Sequence, residues 1–131
     1  MPHLKSDIAP PVNDRVLSIG VFPQELGYDA ATEASLTSRV GSSNAALVAA
    51  GVDVVFVIIT TVPSDAERII RETMAKTEFG VAMIGAGLRL LPENSVLFER
   101  VINAVIDVSP RIRLCFNTKP EDTIEAVARW I

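Results

Sequence analysis

One cysteine and one histidine among 131 residues set the first limits on this chain. Cys115 alone cannot form an internal disulfide, and it lies in an apolar strand pattern, so it reads as a core residue in a reducing, cytoplasmic setting. Without paired histidines or cysteines there is no zinc-ligand spacing, and no metal is expected. His3 falls in a proline-bearing arm, where it reads as solvated, and no histidine is left for a Ser-His-Asp arrangement. The 12 basic residues are scattered and outnumbered by 16 acidic ones, for a net charge of −4, which argues against a nucleic-acid partner. The longest apolar runs, such as 54–59, are far shorter than a bilayer requires, and the polar start carries no signal-peptide pattern. No membrane partner is expected. Aromatics are scarce at 5%, yet hydrophobic residues reach 49% and mean hydropathy is +0.35. That is high for a small domain with a wet surface, and it hints at burial between subunits.

What is present alternates between strand and helix patterns. Residues 15–21, 52–59, 79–84 and 112–116 are short strand-like runs, and 52–59, the most apolar and dominated by valine and isoleucine, reads as a central parallel strand. Between them, Leu36, Val40, Leu47 and Ala50 recur at helical spacing within 32–50, and Gly51 stands where a left-handed C-cap is wanted. Gly41 weakens that helix by about 1 kcal/mol relative to alanine. Ser64 with Glu67 reads as a capping box for a helix whose apolar face is Ala66, Ile69, Ile70 and Met74. Pro92 opens a helix over 92–108, and Thr118-Lys119-Pro120-Glu121 opens a last one, expected to bury Ile124, Val127, Ala128 and Ile131. Strands and helices alternating with short connections specify an α/β three-layer sandwich. The expectation is a four-stranded parallel sheet in the order 2-1-3-4, flavodoxin-like or Rossmann-like, occupying residues 15–131 after a flexible arm at 1–14.

Such a sheet leaves a crevice at the carboxyl ends of its strands. The sequence places Thr60 and Thr61 there after the second strand, Gly85, Ala86, Gly87 and Arg89 after the third, and Asn117 and Thr118 after the fourth. The glycines leave backbone N–H groups open to an anion, and Arg89 offers a fork for a carboxylate or phosphate. Each feature also has a structural meaning: Thr118 as an N-cap, Asn117 as a turn former, the glycines as a requirement of close strand-to-helix packing. Gly85-Ala86-Gly87 follows the third strand and has Leu90 where a dinucleotide loop wants its last glycine, so a Rossmann cofactor is rejected. The chain has no phosphate-binding loop of the nucleotide triphosphatase kind. It also lacks the acidic cluster of a receiver domain and the hydroxyl-rich loop of a flavodoxin after strand one. No cofactor is expected.

The segments Ile84-Gly85-Ala86-Gly87-Leu88-Arg89-Leu90-Leu91-Pro92-Glu93 and Phe116-Asn117-Thr118-Lys119-Pro120-Glu121-Asp122-Thr123-Ile124-Glu125-Ala126, with Arg129-Trp130, resemble a small single-domain microbial family of no known activity. The resemblance covers the last third of the chain well and the first half loosely. It implies a flavodoxin-like or Rossmann-like fold and assigns no functional residue.

Two functions follow as expectations. One is a small-metabolite site that recognises an anionic group through Arg89, Asn117 and the glycine-loop amides; a lyase or isomerase of this kind would draw its base from Glu25, Asp29 or Glu93. The other is a non-catalytic, oligomeric assembly module. In the helix over 92–108, Glu99, Arg100, Asn103 and Asp107 fill one arc and leave an apolar arc of roughly 200°, about twice what a surface helix needs. That width, with Trp130 projecting from the flank of the last helix, points to a homo-oligomer, most simply a two-fold dimer.

Overall fold

The computed structural model describes residues 7–131; His3 and the rest of 1–6 lie outside the described residues. Strands β1 (Val16–Val21), β2 (Val54–Ile59), β3 (Val81–Ile84) and β4 (Arg113–Phe116) form one sheet in the order β2-β1-β3-β4, every pairing parallel. Each connection carries a helix, which rules out tight hairpins: α1 (Ala30–Ala49), α2 (Pro63–Met74), then the short α3 (Ala86–Arg89) followed by α4 (Ser95–Val108). Helix α5 (Thr123–Ala128) closes the chain. α1 and α5 cover one face, and α2 and α4 the other. The α/β layering and the strand order are those the sequence pattern predicts. One placement differs: β2 pairs only with β1 and is an edge strand, not a central one. Its apolar run is explained by Val57 and Ile59 facing α2, while Phe56 and Ile58 on the other face are 36% and 40% exposed.

The larger core lies under α2 and α4. Leu17 and Ile19 from β1 and Ala82 and Ile84 from β3 meet Ala66 and Ile70 of α2 and Val101 and Val105 of α4. The wide apolar arc of α4 is used inside the chain: Leu97, Val101, Ala104 and Val105 are buried, and Phe98 and Ile102 pack against the same core. Sheet and α2 take the two halves, so the width is no evidence for a subunit surface. The expected capping box is also absent. Pro63 occupies the first turn of α2, no side chain caps its N-terminus, and Ser64 is exposed. Glu67 instead bridges two helices, accepting from Arg71 at 2.9 Å and from Arg100, while Arg71 reaches Asp107 at 2.9 Å. These arginines hold the Glu67 carboxyl below its usual range, Arg100 most strongly.

The smaller core, under α1 and α5, gathers Val16, Leu47, Val81, Met83, Cys115, Ala126 and Val127. α5 shows a different face from the expected one: Thr123, Ala126 and Val127 are buried, whereas Ile124 and Ile131 are 38% and 46% exposed and Ala128 is exposed. The cause lies in a 3-10 turn, Pro120–Asp122, and in the Thr123 hydroxyl, which donates to Pro120 O at 2.7 Å and turns Thr123 inward. Trp130 does not project outward; it packs against this core beside Val52 and Val54. α1 ends as expected, with Gly51 at φ 80° and the Gly51 and Val52 N–H groups donating to Val48 O and Leu47 O.

The described part of the arm is tied to the sheet. Ala9 O accepts from Arg113 Nε at 2.7 Å, and Asn13 Oδ1 accepts from Gly80 N–H at 2.8 Å and Arg15 N–H at 2.9 Å. This is why β3 begins at Val81: Gly80 lies against Asn13, and a Cβ there would meet Asn13 O at 1.9 Å. Gly80→Ala is therefore expected to lower stability by about 1–3 kcal/mol. Gly41, exposed in α1 with nothing within 4 Å of a Cβ, should give the opposite sign, Gly41→Ala raising stability by about 0.5–1 kcal/mol. Urea denaturation of both variants measures the contrast.

Candidate functional site

At 20 residues α1 is about 30 Å long, yet Leu47 near its C-terminal end is its one fully buried side chain. The first half stands off the sheet. Beneath it lies a cavity of about 280 Å³, floored by Ser18 and Gly20 of β1 and walled by Leu36 and Val40 of α1 and Phe56 and Ile58 of β2. Two causes hold it open. Ser18 and Gly20 are the smallest residues on that face of β1, and a Cβ on Gly20 would meet only Ile58 Cδ1, at 3.9 Å. The helix is also hung by its flank from the loop between β4 and α5: Arg39 Nε and Nη2 donate to the Glu121 carboxylate at 2.7 and 2.6 Å, and Ser43 Oγ donates to Pro120 O at 2.7 Å. Asp29 caps the helix start, accepting from Thr32 N–H at 2.7 Å, a bond that holds the Asp29 carboxyl below its usual range.

The cavity opens at the carboxyl ends of β1 and β3, neighbouring strands whose next helices lie on opposite faces of the sheet. This switch point is where open α/β sheets leave room for ligands. Gly85, Ala86, Gly87, Asn117 and Thr118 line it; Arg89, Thr60 and Thr61 do not. The amides expected to receive an anion are occupied at two positions, since Gly85 N–H donates to Ile19 O at 2.9 Å and Ala86 N–H to Asn117 Oδ1 at 2.8 Å. Asn117 is buried, and its Nδ2 donates to Thr123 Oγ1 at 2.9 Å, so its amide ties the loop after β3 to the start of α5. Arg89 is turned away from the cavity. Its Nη2 donates to Asn117 O at 2.7 Å, its guanidinium carbon sits 5.5 Å from the Phe116 ring centroid, and its buried Nε has no partner among the described residues. Arg89 therefore does not border one concavity with Asn117 and the glycines. Thr118 is paired with Asp122 through both N–H and hydroxyl. Thr60 Oγ1 accepts from Val62 N–H at 3.2 Å, and Thr61 N–H points to Glu25 Oε1 at 3.4 Å.

Residues that sequence patterning did not single out complete the wall: Ser18, Tyr28, Arg39, Asn44 and Lys119. A signal for the floor existed, because Ser18 and Gly20 alternate with Leu17 and Ile19 and so mark one under-filled face at period two. None existed for Arg39 or Lys119, which reach the cavity only through the packing of α1 and the β4–α5 loop. Of the expected bases, Glu25, Asp29 and Glu93, none lines the cavity, and no carboxylate, histidine or cysteine does so among the described residues. Cys115 lies in the neighbouring core, where burial pushes its thiol up to about 12 and leaves it unreactive. Comparison with protein-family models, curated proteins and solved structures finds no match, so function has to be argued from this geometry.

Two outcomes follow. Asn117→Ala strands the Ala86 N–H and is expected to lower stability by about 1–3 kcal/mol, and Arg89→Ala is expected to lower it as well, since Asn117 O loses the Arg89 Nη2–H donor. Equilibrium denaturation checks both; an unchanged Arg89→Ala variant would free that side chain for a ligand role. The second concerns pH. Hydrogen bonding from Arg39 holds the Glu121 carboxyl down to about 2, from an ordinary 4.5. A depressed acid contributes fully above its ordinary value and loses that contribution as pH falls to its folded one. Amide resonances across residues 36–43 should shift as pH falls from 4.5 to about 2, and Glu121→Gln should remove the effect.

Proposed function

We propose that this protein binds a small metabolite with an apolar body and an anionic head in the cavity beneath α1. The single observation that carries this is the cavity itself. The cavity opens at the carboxyl edge of the sheet, so its 280 Å³ is within reach of a small ligand from solvent. Its chemistry is mixed in the manner of a binding site, with Leu36, Val40, Phe56 and Ile58 on the walls and polar groups at the rim. The anionic head is assigned to Lys119 and Arg39, because Arg89 is engaged elsewhere. Arg39 already carries Glu121, so Lys119 is the cation that a ligand meets first. We read the site as one that binds without turnover: among the described residues it has no carboxylate or imidazole in its lining, and Tyr28 and Lys119 are its only side chains of a general acid or base type.

A thermal-shift and NMR screen of short aliphatic and aromatic carboxylates and phosphates tests this. Binders are expected to move the resonances of Ser18, Gly20 and Ile58. Gly20→Val should abolish their binding while leaving the protein folded, because the added methyls occupy the open floor. Lys119→Ala should weaken binding about tenfold through loss of one exposed charge interaction, a ΔΔG near 1.4 kcal/mol. Binders whose affinity is indifferent to Gly20→Val would move the site away from the cavity, and a screen without binders of this class would remove the proposal.

A further inference from the structure

Four polar side chains are buried among the described residues: Ser18, Asn94, Asn117 and Thr123. Buried polar groups of folded proteins are nearly always hydrogen-bonded, and an exception needs a reason. Three of the four comply. Asn94 Nδ2 donates to Gly87 O at 3.0 Å, Asn117 is held by Ala86 N–H and Thr123, and the Thr123 hydroxyl donates to Pro120 O. Ser18, 7% exposed, makes no side-chain hydrogen bond to any described residue. Among those residues Arg89 Nε alone is both enclosed and unbonded, so Ser18 Oγ keeps open space beside it, and that space is the cavity. Asn44 lines the cavity from α1, and its side-chain amide is also unbonded. On α4, by contrast, Asn103 Nδ2 donates back to Glu99 O at 2.9 Å. Ser18 and Asn44 mark the inner end of the space. Ser18 is in register with Phe56 and Met83, which line it too, whereas Val16, two residues back on the same face, and Leu47, three residues beyond Asn44, are fully buried in the core that closes it. Arg39 and Lys119 lie toward the mouth, Arg39 about 7.5 Å before Asn44 along the helix axis.

We propose that the ligand carries a hydroxyl or carbonyl oxygen at the end remote from its anionic head, and that Ser18 and Asn44 select for it. The inference rests on the reading of the cavity as a metabolite site and narrows the metabolite to a hydroxy or oxo acid. A serine hydroxyl donates and accepts, and so does an asparagine amide; a ligand hydroxyl therefore gives to one and takes from the other, and a ligand carbonyl accepts from both. A plain alkyl end in the same place leaves both groups unbonded and shut off from water, a penalty that apolar walls alone would not impose. Leu36, Val40, Phe56 and Ile58 cover the carbon chain between the two ends. The rise of α1 from Arg39 to Asn44 keeps that chain short, on the order of 7–8 Å.

Calorimetry and NMR on the full chain with matched pairs test it: short ω-hydroxyalkanoates and methyl-ketone oxoalkanoates, each against the plain alkanoate of equal length. The oxygenated member of at least one kind of pair is expected to bind about tenfold tighter and to shift the Ser18 amide and the Asn44 side-chain resonances; which kind does so tells hydroxyl from carbonyl. Ser18→Ala and Asn44→Leu should each erase the preference, weakening the oxygenated ligand about tenfold while the alkanoate binds as before or better. Because Ser18 has no partner to lose, Ser18→Ala should leave the melting temperature of the free protein unchanged or raised, whereas a structural role would lower it. Equal affinity within every pair for ligands that do enter the cavity, as when an ordered water stays on Ser18 and Asn44, overturns this inference and leaves the wider reading of the cavity standing. A preference that survives both substitutions, or a clear loss of stability in Ser18→Ala, overturns it as well. If no member of any pair binds, it falls together with that wider reading. Should Asn44→Leu fail to fold, Ser18→Ala alone decides.

Discussion

The suspension of α1 is the constraint on which the candidate site depends. A helix of 20 residues over a sheet would ordinarily bury an apolar stripe along its whole length, yet here full burial is confined to Leu47. The remaining attachment is polar and lateral, through Arg39 to Glu121 and Ser43 to Pro120 O. Helix and sheet thus stay apart over the carboxyl half of the strands, where Ser18 and Gly20 provide too little side chain to fill the space. Because the Arg39 and Glu121 side chains are 41% and 48% exposed, their pairing is screened by water and positions the helix more than it stabilises the fold.

Asn117 performs the complementary task on the other side of the opening. One buried amide accepts from Ala86 N–H and donates to Thr123 Oγ1, so the loop after β3 and the start of α5 are positioned relative to each other by a single residue. Arg89 completes this arrangement from behind by donating to Asn117 O and covering Phe116. The loops that form the mouth are therefore preorganised by side chain to backbone bonds, while the wall formed by α1 is held only at its flank. Two large clusters, one under α2 and α4 and one under α5, provide the rigid base for both.

The two sheet edges differ in what they leave open. Arginines at β4 satisfy or cover groups that would otherwise invite another strand, whereas β2 presents a row of outward peptide groups on an uncharged, β-branched and aromatic sequence. A strand of this composition, read without its neighbours, is indistinguishable from one at the centre of a sheet. Composition reports how apolar a strand is; it does not report which side its hydrogen-bonding groups are left open.

The sequence by itself determined the layered α/β class, the parallel pairing and the strand order, because short apolar runs separated by helices leave few connections that a chain can make. It also located the loops after β3 and β4, from glycine, proline and asparagine at strand ends. Only the tertiary structure decided what those loops do. Arg89 looks like a ligand's counter-charge until the Asn117 carbonyl and the Phe116 ring are seen to hold it, and the Ala86 amide looks open until Asn117 occupies it. The buried face of α5 was set by a 3-10 turn and one threonine hydroxyl, a shift in helical phase that periodicity over six residues cannot register. Arg39 and Lys119 came to the cavity from segments 80 residues apart, through packing that no local pattern encodes.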